Sequence, residues 1–239
     1  MSEVNQEYRD AKYNNWARRN PAVVSIVYPL LIAIYFFQEN TVELSSVRYI
    51  VGVVLSFGAI VPALLFFFQS SIREISVLLV EAPLFFIFGR PAANLMKKKN
   101  RILSVQLKER ILKKAKEDDI YAIYTDGNDP KCCLDRRKIA REAFDKIKET
   151  CREDPIVFEF NCTYGFFRNL SGGLVVDLLI CLALSILSSN YSLGMETIVS
   201  LSAVFLGVLL VFCLICTYFS AIRHAKRVYV LYDNNNKNK

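Results

Sequence analysis

The sequence predicts an all-α integral membrane protein. It has four transmembrane helices, both termini inside, and a small helical cytosolic domain between spans 2 and 3. Three observations predict it. The 239 residues are 53% hydrophobic and only 22% charged. The apolar residues gather into a few blocks rather than spreading at helical or strand period. The lysines and arginines are distributed very unequally among the polar segments between those blocks. Such a composition excludes intrinsic disorder, a disulfide miniprotein and an ordinary cytosolic enzyme.

Residues 1–21 are polar and lack the small-residue cleavage site of a secretory signal, so the first apolar block reads as retained. That block, 22–37, is a short span, with Trp16 and Tyr35 placed as interfacial anchors. The second span, 49–68, has no charge; with the first it makes a hairpin over 22–68. A bilayer core of about 30 Å requires roughly 20 helical residues, and 17 to 25 are tolerated. Pro29 and Pro62 fall inside these spans, where neighbouring helices can satisfy freed carbonyls. The third span, 173–188, carries one acid, Asp177, and the fourth, 198–222, is long enough to tilt.

Of the 30 lysines and arginines, 29 fall in residues 1–21, 69–172 and the tail 223–239. The positive-inside rule places all three segments in the cytoplasm and the chain in the inner membrane. Block 75–88 is fourteen residues long and interrupted by Glu81 and Pro83. Its length fits an interfacial or re-entrant segment better than a span. Were it to cross, the nineteen basic residues that follow would face outside.

Within 69–172, Ser104 can cap a helix reaching Lys116, with Leu107, Ile111, Leu112 and Ala115 on one face. Asp126–Pro130 is a turn cluster. A second amphipathic helix, 135–151, aligns Ile139, Ala140, Ala143, Phe144, Ile147 and Cys151. Pro155 separates it from a third, 156–170, which leads into the membrane.

The run Tyr164-Gly165-Phe166-Phe167-Arg168-Asn169-Leu170 resembles the Tyr-Gly-Phe-Arg-Arg-Asn-Leu signature of a family of uncharacterised bacterial multi-span membrane proteins. There the signature precedes a span, a Gly-Pro-Pro-Thr-Thr-x-x-Leu element follows the second span, and an Ala-x-x-Tyr-Ala-like helix ends the chain. Gly89, Pro91 and Leu95 match the middle element, and 221–231 resembles the final helix. The family's two threonines are Ala92 and Ala93 here, so the resemblance implies no hydroxyl chemistry at that element. It implies no enzyme activity either.

Several groups bear on function. Lys97, Lys98, Lys99, Arg101, Lys108, Arg110, Lys113, Lys114 and Lys116 read as contacts to anionic lipid, each worth about 1 kcal/mol near the surface. Nucleic acid is not expected, since no aromatic interleaving or recognised nucleic-acid fold accompanies them. Asn161, Gly165, Arg168 and Asn169, with Tyr164 at the edge, share a helical face that reads as a docking or coupling surface. Asp177 is an intramembrane acid and so a site hypothesis, with an acid near the inner interface, hydrated or paired with a juxtamembrane Arg, as the plainer reading. Cys213 and Cys216 read as small packing residues, and His224 as interface decoration. No nucleophile elbow, phosphate loop, metal set or cofactor motif occurs. The expectation is a non-enzymatic binding, sensing or effector component at the cytoplasmic face. It would assemble with itself or with a protein partner, as would a membrane effector in bacterial stress or phage defence. A small oligomeric channel or transporter using Asp177 is the alternative.

Overall fold

The computed structural model describes residues 3–29, 66–67, 69–118, 120, 133–191 and 196–234. These are helical with short connections, and no strand occurs among them. Most of the second span, residues 30–37 of the first, the Asp126–Pro130 turn and residues 235–239 lie outside the described residues.

Helix α1 (Glu3–Tyr13) passes through a π-helical segment, Asn14–Arg19, into helical residues 20–29. Helical residues 69–75 likewise pass through a π-helical segment, Ser76–Glu81, into α2 (Ala82–Phe88). Each widened turn ends two residues before a proline, Pro21 or Pro83. Proline lacks the N–H that would reach the carbonyl four residues back, and its ring crowds that carbonyl, so the helix locally opens. Four helices follow: α3 (Pro91–Met96), α4 (Val105–Glu117), α5 (Cys133–Thr150) and α6 (Pro155–Tyr191). The last is α7 (Glu196–Asn234). Both α6 and α7 are long and apolar enough to cross a membrane. The helix begun at Pro155 runs unbroken through Gly172-Gly173.

The chain forms two compact units. The first comprises Met1–Ala82 with Gly165–Ile215. Its apolar core is Leu170, Leu174, Cys181, Val199, Leu206 and Cys213, with Tyr28 and Phe167 packed against it. Cys181 and Cys213 are thus packing residues with free thiols.

The second unit comprises Pro83–Tyr164 with Cys216–Lys239. Gly89, at φ 77, ends α2 in the left-handed conformation. Asn94 Nδ2 and the Tyr218 hydroxyl both donate to the Phe88 carbonyl freed there, at 2.6 and 3.3 Å. Pro91 opens α3, where a missing N–H costs nothing. Ser104 caps α4, accepting from Leu107 N at 3.2 Å. The core gathers Leu95, Leu103, Ile111, Ala143, Ile147 and Val157 around Val228, Tyr229 and Tyr232. Residues 223–234 therefore form a core helix, where the sequence reading makes 223–239 a tail. Ala225, Val228, Tyr229 and Tyr232 return to one face at helical spacing and are all buried.

Candidate functional site

In the first unit, α6 presents a stripe of small and polar residues: Gly165, Asn169, Gly172, Gly173 and Asp177. It is filled from within the chain. A Cβ at Gly165 would lie 2.9 Å from Ala17 Cβ and 3.2 Å from the Tyr13 hydroxyl. One at Gly172 would overlap Ser76 Oγ, and one at Gly173 would overlap Ser25 Oγ. Small residues let helices approach this closely, which is how helices associate where lipid supplies no hydrophobic drive.

The two π-helical segments meet this stripe through polar groups. Ala17 lies four residues before Pro21, so its carbonyl lacks the usual α-helical donor, and the buried Asn169 donates Nδ2 to it. Glu81 ends the second segment and accepts from Arg168 Nη1 at 3.1 Å, with side-chain exposures of 23% and 12%. Arg168 Nε also reaches Asn169 Oδ1 at 3.3 Å. Arg168 and Asn169 thus join α6 to two other helical segments. Asn161 and Tyr164, both partly buried, lie earlier on the same unbroken helix, in the stretch of α6 that belongs to the second unit.

Asp177 is buried, and its Oδ1 has no hydrogen-bond partner. Nearby, the Tyr28 hydroxyl bonds Cys181 Sγ, and Ser202 lies within hydrogen-bonding reach of it. Arg168 does not pair with Asp177. A buried carboxylate oxygen without a donor is costly in apolar surroundings.

In the second unit the nine expected lipid-contact residues separate into three sets. Lys97, Lys98, Lys99 and Arg101 are exposed on the loop between α3 and α4, and Lys113 and Lys116 on α4 itself. Arg110 holds Asp233 through two nitrogens at 2.9 to 3.1 Å. Lys108 and Lys114 differ from the expectation, because both are buried. Lys108 Nζ donates to the carbonyls of Lys97, at 2.7 Å, and Asn100. Lys114 Nζ donates to the Tyr232 carbonyl and stands 4.3 Å from that ring's centroid. Both ammonium groups bind carbonyls freed at turns and a helix end, where a cation is favoured. They hold the fold and cannot also face lipid.

His224 also departs from expectation. It is buried, edge-on to Phe144 at 6.4 Å, and its Nε2 has no partner. It lies beyond the apolar stretch ending at Ile222. Burial, with the Lys148 charge a lesser cause, lowers its pKa to about 3. Among the described residues no three His, Cys, Asp or Glu side chains converge as metal ligands would.

Compared with protein-family models, curated proteins and solved structures, the chain matches none.

Proposed function

We propose that the chain is a four-span inner-membrane protein with both termini in the cytoplasm. In this reading it acts without catalysis, as a self-associating binding, sensing or effector component at the cytoplasmic face. The supporting observation is the outer face of α7. Leu201, Val204, Phe205, Val208, Phe212, Ile215 and Phe219 recur at helical spacing and are each more than half exposed. A water-soluble chain does not leave so long a stripe of large apolar side chains uncovered. Lipid and further copies of the chain are its natural cover. The skew of 29 basic residues to one side supports the threading.

The coupling element in this proposal is Arg168 with Asn169, which ties α6 to the segments carrying Glu81 and Ala17. Shifting α6 against them would convert an event at the inner face into a change in the bundle, as a stress-response or phage-defence effector requires. Cysteine crosslinking tests the assembly. Phe205→Cys and Phe212→Cys, on the stripe, should give intermolecular crosslinks in membranes, and Leu206→Cys, which is buried, should not. No crosslink from either stripe position would overturn self-association through α7.

A second reading, an oligomeric channel or transporter, is favoured by Asp177 alone, through its buried, unpartnered oxygen. It requires solute or ion flux in proteoliposomes that Asp177→Asn abolishes.

A further inference from the structure

The loop between α3 and α4 stands between two grooves of the second unit that share Lys99 and Asn100. The first, about 350 Å³, is bounded by Lys97, Lys99, Asn100, Tyr218, Ile102 and Ile222. The second, about 510 Å³, continues along Lys98 and Arg101 to Ser104.

Three features of the first groove point to one ligand chemistry. Its charge is cationic and uncompensated: Lys97 and Lys99 form no ion pair among the described residues. The buried Lys108 ammonium, bound to the carbonyls of Lys97 and Asn100, adds its field from behind the loop. Its donors are pre-set. Asn100 Oδ1 accepts from Ile102 N at 2.8 Å, which leaves the Asn100 amide nitrogen free to donate. Its surroundings are apolar: Ile102 and Ile222 line it, Ile102 is 45% exposed, and the 58% exposed Phe88 ring stands 5.5 Å from that of Tyr218. A free anion has no use for those side chains; acyl chains do.

We propose that this groove seats the phosphate of one anionic phospholipid of the inner leaflet. Lys97, Lys99 and the Asn100 amide donate to its oxygens, and its chains lie along Ile102, Ile222 and Phe88. This rests on the reading that the loop faces the inner leaflet. It goes further, because a seated lipid is retained at one per chain and a diffuse polybasic attraction is not.

The full-length protein is purified in neutral detergent. Native mass spectrometry then counts lipids retained from mixtures of phosphatidylglycerol and phosphatidylcholine. One retained phosphatidylglycerol per chain is expected, with Lys97→Gln/Lys99→Gln weakening retention by about 30-fold, the ~2 kcal/mol that two interfacial lysines supply. Lys113→Gln/Lys116→Gln removes the same charge from α4 and should keep the retained lipid. Equal loss from both pairs would overturn the groove while leaving inner-leaflet attraction intact. No preference for phosphatidylglycerol in any variant would overturn both. If inorganic phosphate displaces the lipid at comparable concentration, the site serves a soluble anion and the lipid proposal fails.

Discussion

Replacing Arg168 with Ala leaves the Glu81 carboxylate without its cation in a place that water reaches poorly. The two side chains are 12% and 23% exposed and meet at 3.1 Å. Removing one partner of a fully buried pair costs about 3–5 kcal/mol, and exposed pairs contribute about 0–1. At this intermediate burial the loss should be about 2–3 kcal/mol. For a chain of this size that corresponds to an apparent Tm lower by roughly 4–12 °C. Arg152 supplies the comparison: it pairs with Glu149 at the same 3.1 Å, but both side chains are more than 60% exposed. Arg152→Ala should therefore shift Tm by roughly 4 °C or less. Arg168→Lys should fall between, since one ammonium cannot reproduce the planar contacts to Glu81 and Asn169 together. The assay is thermal unfolding of the full-length protein in detergent, completed as a cycle with Glu81→Gln. Non-additivity of about 1 kcal/mol or more is expected. Strict additivity, or equal effects of Arg168→Ala and Arg152→Ala, would refute the coupling role.

Gly173→Ala should destabilise the protein by about 1–3 kcal/mol through its collision with Ser25, and Ser25→Gly should partly restore it. Gly207→Ala is the contrast: a Cβ there meets nothing within 4 Å, so thermal unfolding should show a neutral or slightly stabilising change. His224 should make stability fall with acidity. The unfolded chain takes up a proton below about pH 6.5 that the folded chain refuses until about pH 3. Between pH 6.5 and 5 this removes about 2 kcal/mol, and in denaturant titrations wild type should lose about that much stability relative to His224→Leu. Lys108→Met frees the Lys97 and Asn100 carbonyls, so hydrogen exchange across residues 97–104 should quicken while α5 is unchanged.

Local signals in the sequence suffice for α4 and α5. Ser104 caps α4 as its type and position predict, and Ala140, Ala143, Ile147 and Cys151 are buried on the expected face of α5. Pairings between distant segments were not legible. Lys108 and Lys114 sit in a basic run that reads as lipid-facing, because the carbonyls they bind come from a turn and from a helix more than a hundred residues away. The run 225–232 hides its core face because Arg223, Lys226 and Arg227 read as the end of a span, although the spacing of Ala225, Val228, Tyr229 and Tyr232 is readable. Asn169 and Gly165 were identifiable as a special face, but not their occupant. The clue lay in Pro21, whose missing N–H frees the Ala17 carbonyl that Asn169 fills.

The threading of the chain is tested most directly by paired reporter fusions, one after Lys116 and one at Lys239, each read with a cytoplasmic and a periplasmic reporter. With 29 of 30 basic residues on one side, both fusions should report cytoplasm, and a fusion within residues 38–48 should report the opposite face. Opposite results at Lys116 and Lys239 would mean that an odd number of segments crosses between them, and would contradict the four-span, both-ends-in account.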